Sequence, residues 1–495
     1  MKIHSARICY PLFMLAFVCV FVTKNTQRAY GQENREQPNI LLILADDMGY
    51  GDLGCMGSKH LQTPHLDRLA QSGVLCTQAY VASAVCSPSR AGLITGRDPR
   101  RFGYEGNLNQ TSSHYATRPE LLGLPPGEHT LGDHLRDAGY QTAIIGKWHL
   151  GTGELFHPLQ RGFDYFCGML GGGHGYFPNP KNNKLERNGE PLSEFSSPYL
   201  TDFFTDEALN WITKNSESQQ NSKPWFLYLS YNAPHGPRQA KPEDEALFSS
   251  IQDPKRRTYA AMVYAMDQGI GRVLELLEET QELDNTLICF FSDNGGATNN
   301  GSWNGPLSGV KGCLKEGGIR VPMIWSWPSV IPKQPQQAGV VSSLDLLPTF
   351  AAAAQCNPLP LTMPRSHEDA NNRKKIVQKY GSYDGVNLLP LLRGTAVPER
   401  RTLFWRLQGQ AAILDGNEKL IHLSHRPAEM FLPATDIAEA ENQMQTDPTR
   451  AAELYQMLGN WQSLLPTVPL WGSSPFWSSQ SAQHYDQWIP SAEPE

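Results

Sequence analysis

The sequence predicts an α/β fold: a large, mostly parallel central sheet flanked by helices, followed by a small C-terminal antiparallel-sheet subdomain. Three observations predict it. Short apolar runs of strand length recur along the chain, and segments with helical caps and spacing lie between them. Several of the apolar runs stop at residues equipped for chemistry.

The first run is Asn39–Ala45, apolar after its first residue, as suits a strand buried on both faces of a parallel sheet. It stops at Asp46-Asp47. Thr63-Pro64 then opens a helix, with Thr as N-cap and Pro at the first helical position, and Gly73 ends it. Thr130 caps a second helix through Ala138, closed by Gly139. Tyr140–Ile145 is the next strand and leads into Gly146-Lys147-Trp148-His149. Trp225–Tyr231 is another, followed by Ala233-Pro234-His235. From about Asp253 to Glu279, Ala260, Val263, Tyr264, Asp267, Ile270 and Val273 fall near helical spacing. The strand Thr286–Ser292 ends in Asp293-Asn294, and Val321–Trp325 is a further strand.

In right-handed α/β sheets, ligands sit beyond the carboxyl ends of the strands. If these strands are parallel, Asp46, Asp47, Lys147, His149, His235, Asp293 and Asn294 gather along one edge. After about residue 395 the texture changes. Thr402–Arg406, Gln410–Leu414 and Lys419–Leu423 are short strands around turns such as Asp415-Gly416. Residues 355–380 are polar and Pro-rich, a surface excursion, and residues 466–495 are a wrapping tail rich in Pro, Ser and Trp.

The 495 residues suggest two or three domains, and 40% hydrophobic content is enough for a sizeable core. Disorder and a polytopic membrane protein are excluded, and a net charge of -7 argues against nucleic acid as a partner. Lys2 and Arg7 precede an apolar run from Ile8 to Val22, and Ala29-Tyr30-Gly31 follows as a cleavage site. That order predicts a signal peptide over residues 1–31 and export to the periplasm or outside the cell, with no membrane contact after cleavage. The run is shorter than the roughly 18 residues of a spanning helix. Cleavage leaves seven cysteines, an odd number, without a CxxC zinc pattern.

Asp46, Asp47, Asp293 and Asn294 offer only oxygen, which suits calcium or magnesium and not zinc. Taken singly, each pair is equally at home in a turn or a helix cap. Lys147, His149, His235 and Lys311, set around a metal, would hold an anion and move protons. Trp148 packs inward and aims its two neighbours the same way. Cys86 is the candidate nucleophile: Pro88 at a helix start leaves it near a helix N-terminus, with Arg90 just inside. The plain alternative is a buried structural cysteine.

Cys86-x-Pro88-Ser89-Arg90, followed by Thr95-Gly96-Arg97, resembles the signature of the type I sulfatases, of the arylsulfatase and N-acetylgalactosamine-6-sulfatase kind. The likeness covers most of the chain. Asn39-Ile40 to Asp46-Asp47-Met48-Gly49, Gly146-Lys147-Trp148-His149, Ala233-Pro234-His235, Ser292-Asp293-Asn294-Gly295, Lys311-Gly312 with Glu316-Gly317-Gly318, and Asp384-Gly385-Val386 follow in the family's order. The resemblance implies an alkaline-phosphatase-like sandwich, with a catalytic domain over 36–395 and a C-terminal subdomain and tail over 396–495. It also implies that a formylglycine-generating enzyme oxidises Cys86 to formylglycine. Asp46, Asp47, Asp293, Asn294 and the modified Cys86 would hold one calcium ion. Arg90 would steady the formylglycine, and Lys147 and Lys311 would grip sulfate oxygens. His149 would be the base for the formylglycine hydrate, and His235 would protonate the leaving oxygen or bind sulfate beside it.

The substrate so implied is a sulfated small molecule or polysaccharide. The Gly-rich stretch Gly171–Phe177, with His174, and Arg238 after His235 are candidates for lining the pocket of its alcohol part. A phosphate-ester hydrolase of the same superfamily and a non-catalytic polysaccharide-binding protein are the competing readings. The cysteine and the two lysines disfavour the first, and the intact set of reactive residues disfavours the second.

Overall fold

In the computed structural model, the described residues are 37–108, 122–179, 181, 183–192, 197–216, 223–334, 336–356, 383–466 and 493. The expected signal over 1–31, nearly all of the excursion over 355–380 and all of the tail beyond 466 except Glu493 lie outside them. Residues Gln37–Glu495 form one compact unit.

The described residues form fourteen strands, in chain order β1 Asn39–Ala45, β2 Val74–Tyr80, β3 Gln141–Lys147, β4 Tyr165–Met169, β5 Leu185–Arg187, β6 Glu190–Pro191, β7 Trp225–Ser230, β8 Thr286–Ser292, β9 Arg320–Ser326, β10 Val341–Ser342, β11 Thr402–Leu407, β12 Gln410–Asp415, β13 Glu418–Leu423 and β14 Arg426–Phe431. The first ten make one sheet in the order β10-β2-β9-β8-β1-β7-β3-β4-β5-β6, and the last four make a second in sequence order.

The centre of the large sheet, β8-β1-β7-β3-β4, is parallel, so its carboxyl ends share one edge. On one side β9 runs antiparallel to both β8 and β2, and on the other β5 runs antiparallel to β4 and β6 to β5. The chain after β8 stays at the carboxyl edge through the short helix Glu316–Ile319 and re-enters the sheet there. Parallel pairing would need a crossover back to the far edge. Because β9 is reversed, β2 again points the same way as β8 and delivers the chain to Cys86 at that edge.

Alternate residues of β1 enter opposite cores. Ile40, Leu42 and Leu44 join Leu93, Leu131, Leu135 and Phe350; Leu41, Ile43 and Ala45 join Leu66, Phe204, Met266 and Ile270. Each fully buried Leu or Ile contributes roughly 1.5–3 kcal/mol. The helix Pro64–Ser72 starts where expected, but Thr63 does not cap it. Its hydroxyl accepts from Gly54 N (2.8 Å) and donates to Asp67 Oδ1 (3.0 Å). Thr130 does cap its helix, in a capping box with Asp133.

The antiparallel sheet packs one face, with Leu403, Trp405, Ala412, Leu414 and Ile421, into the first of these cores. Its other face, with Ile413, Leu420 and Met430, meets Leu454 and Leu458 of the helix Pro448–Ser463. Asp415 joins that helix to the sheet, accepting from Thr402 Oγ1 (2.7 Å), from Arg400 Nη2 (2.7 Å) and from Arg450. Among the described residues no helix is long and apolar enough to cross a membrane.

Burial alone would raise the Asp415 carboxyl, but the hydrogen bonds from Arg400, Thr402 and Arg450 outweigh it and hold the pKa down to about 2, from 3.8. A carboxyl depressed by folding adds stability above its unfolded value and loses it as the pH falls toward 2. Asp415→Asn is therefore expected to cost about 1–2 kcal/mol at pH 7 and almost nothing near pH 2. Thermal unfolding of both proteins at the two pH values checks this; an equal loss at both would place the effect in packing instead.

Candidate functional site

Four parallel strands aim their ends at one place. β1 runs into Asp46 and Asp47, β3 ends on Lys147, β7 leads to His235, and β8 leads to Asp293 and Asn294. Cys86 is the first residue of the helix Cys86–Thr95, after an extended Val85. Lys311 arrives on the long connection between β8 and β9.

The side chains meet in pairs of opposite charge. Lys147 Nζ lies 2.6 Å from Asp46 Oδ2. Lys311 Nζ lies 2.5 Å from Asp47 Oδ1 and 3.0 Å from Cys86 Sγ. Cys86 Sγ is 3.6 Å from Asp46 Oδ1 and 3.7 Å from Asp47 Oδ1. Arg90 donates Nε to Asp293 Oδ2 (3.0 Å) and Nη1 to Ser230 Oγ (2.7 Å) and the Lys147 carbonyl (3.1 Å). Asn294 Nδ2 donates to Asp47 Oδ1 (2.8 Å), and Asp47 N to Asp293 Oδ1 (3.2 Å). His235 Nε2 is 3.6 Å from Asp47 Oδ2.

Burial sets the electrostatics. It would raise Asp46, but Lys147, His235, Arg90 and Lys311 overcome it and hold that carboxyl well below the usual range. Burial also works against Asp47, and Lys311 and His235 bring it below its ordinary value. Asp293 goes the other way: burial, with Asp46 nearby, pushes it up to about 7. Burial pushes the Cys86 thiol up, and the two lysines only partly offset it. His149 is driven well below 6.5 by burial and then by Lys147 and Arg90, so it is neutral.

The local backbone serves this cluster. Asp47 (φ 63) and His149 (φ 59) sit in the left-handed region, uncommon for residues with a side chain. Gly146 (φ 113) lets β3 approach β7: a Cβ there would lie 1.9 Å from the Ser230 carbonyl oxygen. Trp148 is fully buried and donates Nε1 to the Phe156 carbonyl (2.8 Å). Gly172 packs against the His149 ring, where a Cβ would fall 2.7 Å from Nε2, and Gly173 faces His235. The Gly-rich loop thus gives room to two imidazoles. His174 spends Nδ1 on the Gly175 carbonyl (2.7 Å) and Nε2 on Lys184 N (3.2 Å). Arg238 is exposed and donates to the Asn299 carbonyl. Both residues are used in holding loops together.

Ligand atoms of Asp46, Asp47, Cys86 and His235 all lie within 4.8 Å of one another, a spacing that can hold a metal ion. The set expected from the sequence is Asp46, Asp47, Cys86, Asp293 and Asn294, with His235 beside the sulfate. Asp293 is held by Arg90, and Asn294 Oδ1 is buried with no hydrogen-bond partner among the described residues. Three buried carboxylates and an unpartnered amide oxygen are hard donors, so the residues fit a hard divalent cation. Ser230, which orients Arg90, and Asn232, whose carbonyl accepts from His235 N (2.9 Å), were not singled out from the sequence. Their signal was alternation along β7 past Tyr228, on the face opposite Leu229.

The Sulfatase family model matches residues 38–356. N-acetylgalactosamine-6-sulfatase from Homo sapiens is 35% identical over 388 residues, covering 75% of this chain and 69% of that protein. Arylsulfatase A from Homo sapiens is 33% identical over 398 residues, covering 74% and 70%. Among solved structures, Ps i-CgsB in complex with k-i-k-neocarrahexaose superposes with a TM-score of 0.78 at 34% identity, covering 91% of this chain and 98% of that one. The phosphonate monoester hydrolase of Agrobacterium radiobacter shares the fold, with a TM-score of 0.55 at 20% identity, over 86% of this chain and 95% of that one.

Calcium or magnesium binding only the folded chain should raise its melting temperature, by about 2.7 kcal/mol of stability at a hundred times the dissociation constant. Asp293→Ala should weaken that response without unfolding the protein. Calorimetric scans with and without each ion test both statements; wild-type protein indifferent to both ions would remove the metal assignment.

Proposed function

The chain belongs to the sulfatase family and is a sulfuric ester hydrolase, and from that premise we propose that it removes sulfate from a sulfated carbohydrate after export. In this reading Cys86 is matured to formylglycine and one calcium ion is bound. The observation that carries the reading is the setting of Cys86: a buried cysteine at a helix start, 3.0 Å from Lys311 Nζ and beside both Asp46 and Asp47. The carbohydrate is supported by two of the relatives, one named N-acetylgalactosamine-6-sulfatase and one in complex with k-i-k-neocarrahexaose. Export follows from the sequence of residues 1–31. The division into a catalytic part over 36–395 and a C-terminal part over 396–495 belongs to the same reading.

Asp46, Asp47, Asp293 and Asn294, with the matured residue 86, would hold the calcium, which supplies positive charge to the ester oxygens. Formylglycine as its hydrate supplies two hydroxyls on one carbon, one to attack sulfur and one to let sulfate leave. The protein does the rest. Lys147 and Lys311 are paired with Asp46 and Asp47, and with a cation on those carboxylates both ammonium groups would be free to grip sulfate. Arg90 fixes Asp293 and, through Ser230 and the Lys147 carbonyl, the end of β3. His149 is neutral and its Nδ1 has no hydrogen-bond partner among the described residues, so it can accept a proton from the hydrate. His235 donates Nδ1–H to the Gly236 carbonyl (2.7 Å), so Nε2, 3.6 Å from Asp47 Oδ2, would carry a proton to the leaving oxygen with the ring as imidazolium.

Maturation should remove about 18 Da from the tryptic peptide Leu69–Arg90 of protein made with a formylglycine-generating enzyme, while Cys76 in the same peptide stays intact. Cys86→Ala should then abolish release of sulfate from a sulfated sugar with the fold retained. Appreciable turnover by that pure variant would sink the nucleophile.

Gly172→Ala pushes a methyl group into the His149 ring. Displacing a base by about 1 Å lowers rates on the order of a hundredfold. The expected outcome is a folded enzyme with kcat reduced roughly tenfold to a hundredfold. Steady-state kinetics at wild-type kcat would show that the ring is not held by this packing.

A further inference from the structure

The connection that carries Lys311 is gripped by the C-terminal sheet and by the chain that follows it. Glu439 is buried and adopts φ 50, a conformation that a residue with a side chain holds only when its surroundings impose it. Its Oε2 accepts from Ser308 Oγ (3.2 Å) and from Glu316 N (2.7 Å), near the two ends of the Lys311 loop. Its Oε1 lies 2.8 Å from Lys419 Nζ, on β13. The same ammonium reaches Glu316 Oε1 at 2.7 Å, and Glu316 Oε2 accepts from Tyr80 OH at 2.7 Å. Between those ends, Gln410 of β12 donates Nε2 to the Gly312 carbonyl (2.9 Å).

The opposite side of the loop is fastened to the site itself. Gly312 N donates to the Ala84 carbonyl (2.9 Å), two residues before Cys86, and Lys311 N to the Gly296 carbonyl (3.0 Å). Gly295 N donates to the Gly318 carbonyl (3.1 Å) beside Asn294. The loop is thus wedged between Glu439 and Gln410 on one flank and the ends of β2 and β8 on the other. A buried ammonium shared by two carboxylates gives little net stability, because desolvation consumes most of the attraction. It does give a single geometry, since a shift of any member leaves a charge unpaired.

We propose that Glu439 is a positioning residue for Lys311: it fixes the loop so that the lysine ammonium stands against Asp47 and Cys86, and so sets the affinity for sulfate. The role rests on the reading of Lys311 as a sulfate-gripping group.

The test compares Glu439→Ala, Glu439→Gln and the wild-type full-length chain by two measurements. Hydrogen exchange followed by mass spectrometry should show faster exchange in the segment 308–318 of Glu439→Ala, with β8 protected as before. With a sulfated sugar, KM and the inhibition constant of inorganic sulfate should rise together by about tenfold or more, the loss of one charge-assisted hydrogen bond, while kcat changes less. Glu439→Gln keeps an oxygen for Glu316 N and should recover part of the loss. Asp415→Asn, which loosens the same sheet at its outer side, serves as the control. Wild-type exchange and KM in folded Glu439→Ala, or an equal rise in KM in Asp415→Asn, would overturn the proposal. If Glu439→Ala does not fold, Gln410→Ala removes the bond to Gly312 and is judged by the same two outcomes. A wild-type enzyme that releases no sulfate would defeat the sulfatase reading, and the exchange measurement would still decide whether Glu439 holds the loop.

Discussion

Charge balance without solvent is the constraint on which this structure turns. Asp46, Asp47 and Asp293 are brought together with Arg90, Lys147 and Lys311, and all six are less than a tenth exposed. An ion taken from water into such a place costs several kcal/mol unless a partner meets it at close range. The pairings at 2.5–2.9 Å meet that demand unevenly. Asp46 is over-provided with positive neighbours, and Asp293 is raised to about 7 despite Arg90. A cluster balanced this finely responds strongly to one added cation or one added anion, and a site for an anionic ester needs that responsiveness.

The parallel strands are the means of assembling it. Residues far apart in sequence reach one edge because each strand ends at the same height, and helices on both faces keep water away. Small backbone departures finish the work: left-handed turns at Asp47 and His149, and glycines where two elements come within contact of each other. The antiparallel β9 brings the Lys311 connection into the same edge without a crossover.

Much of this was legible in the residues. The runs Asn39–Ala45 and Thr286–Ser292 are apolar except at the end residues Asn39, Thr286 and Ser292 and stop at acids, so strand and site announce themselves together. Other strands were silent. β2 has a polar centre, Thr77-Gln78, and an irregular register against β9, which hides its alternation. β4 is short and contains Gly168. The direction of β9 is set by the connection before it, which composition does not encode. At the site, strand ends told which residues would meet, but distances within the cluster depend on side chains from several strands. His235 stands 3.6 Å from Asp47 and Asp293 is engaged by Arg90, contacts that strand ends alone do not specify. The Gly-rich loop was open to a second meaning because close packing against an imidazole leaves no mark in the sequence besides the glycine itself.

The C-terminal sheet also bears on how the chain must be made. Every side chain of the buried charge cluster precedes residue 312, yet Gln410, Lys419 and Glu439 grip its last loop from residues synthesised long afterwards. A ribosome that stops near residue 400 would release a polypeptide with all the reactive groups and no brace for Lys311. A genome survey that counts signature motifs would score such a fragment as intact.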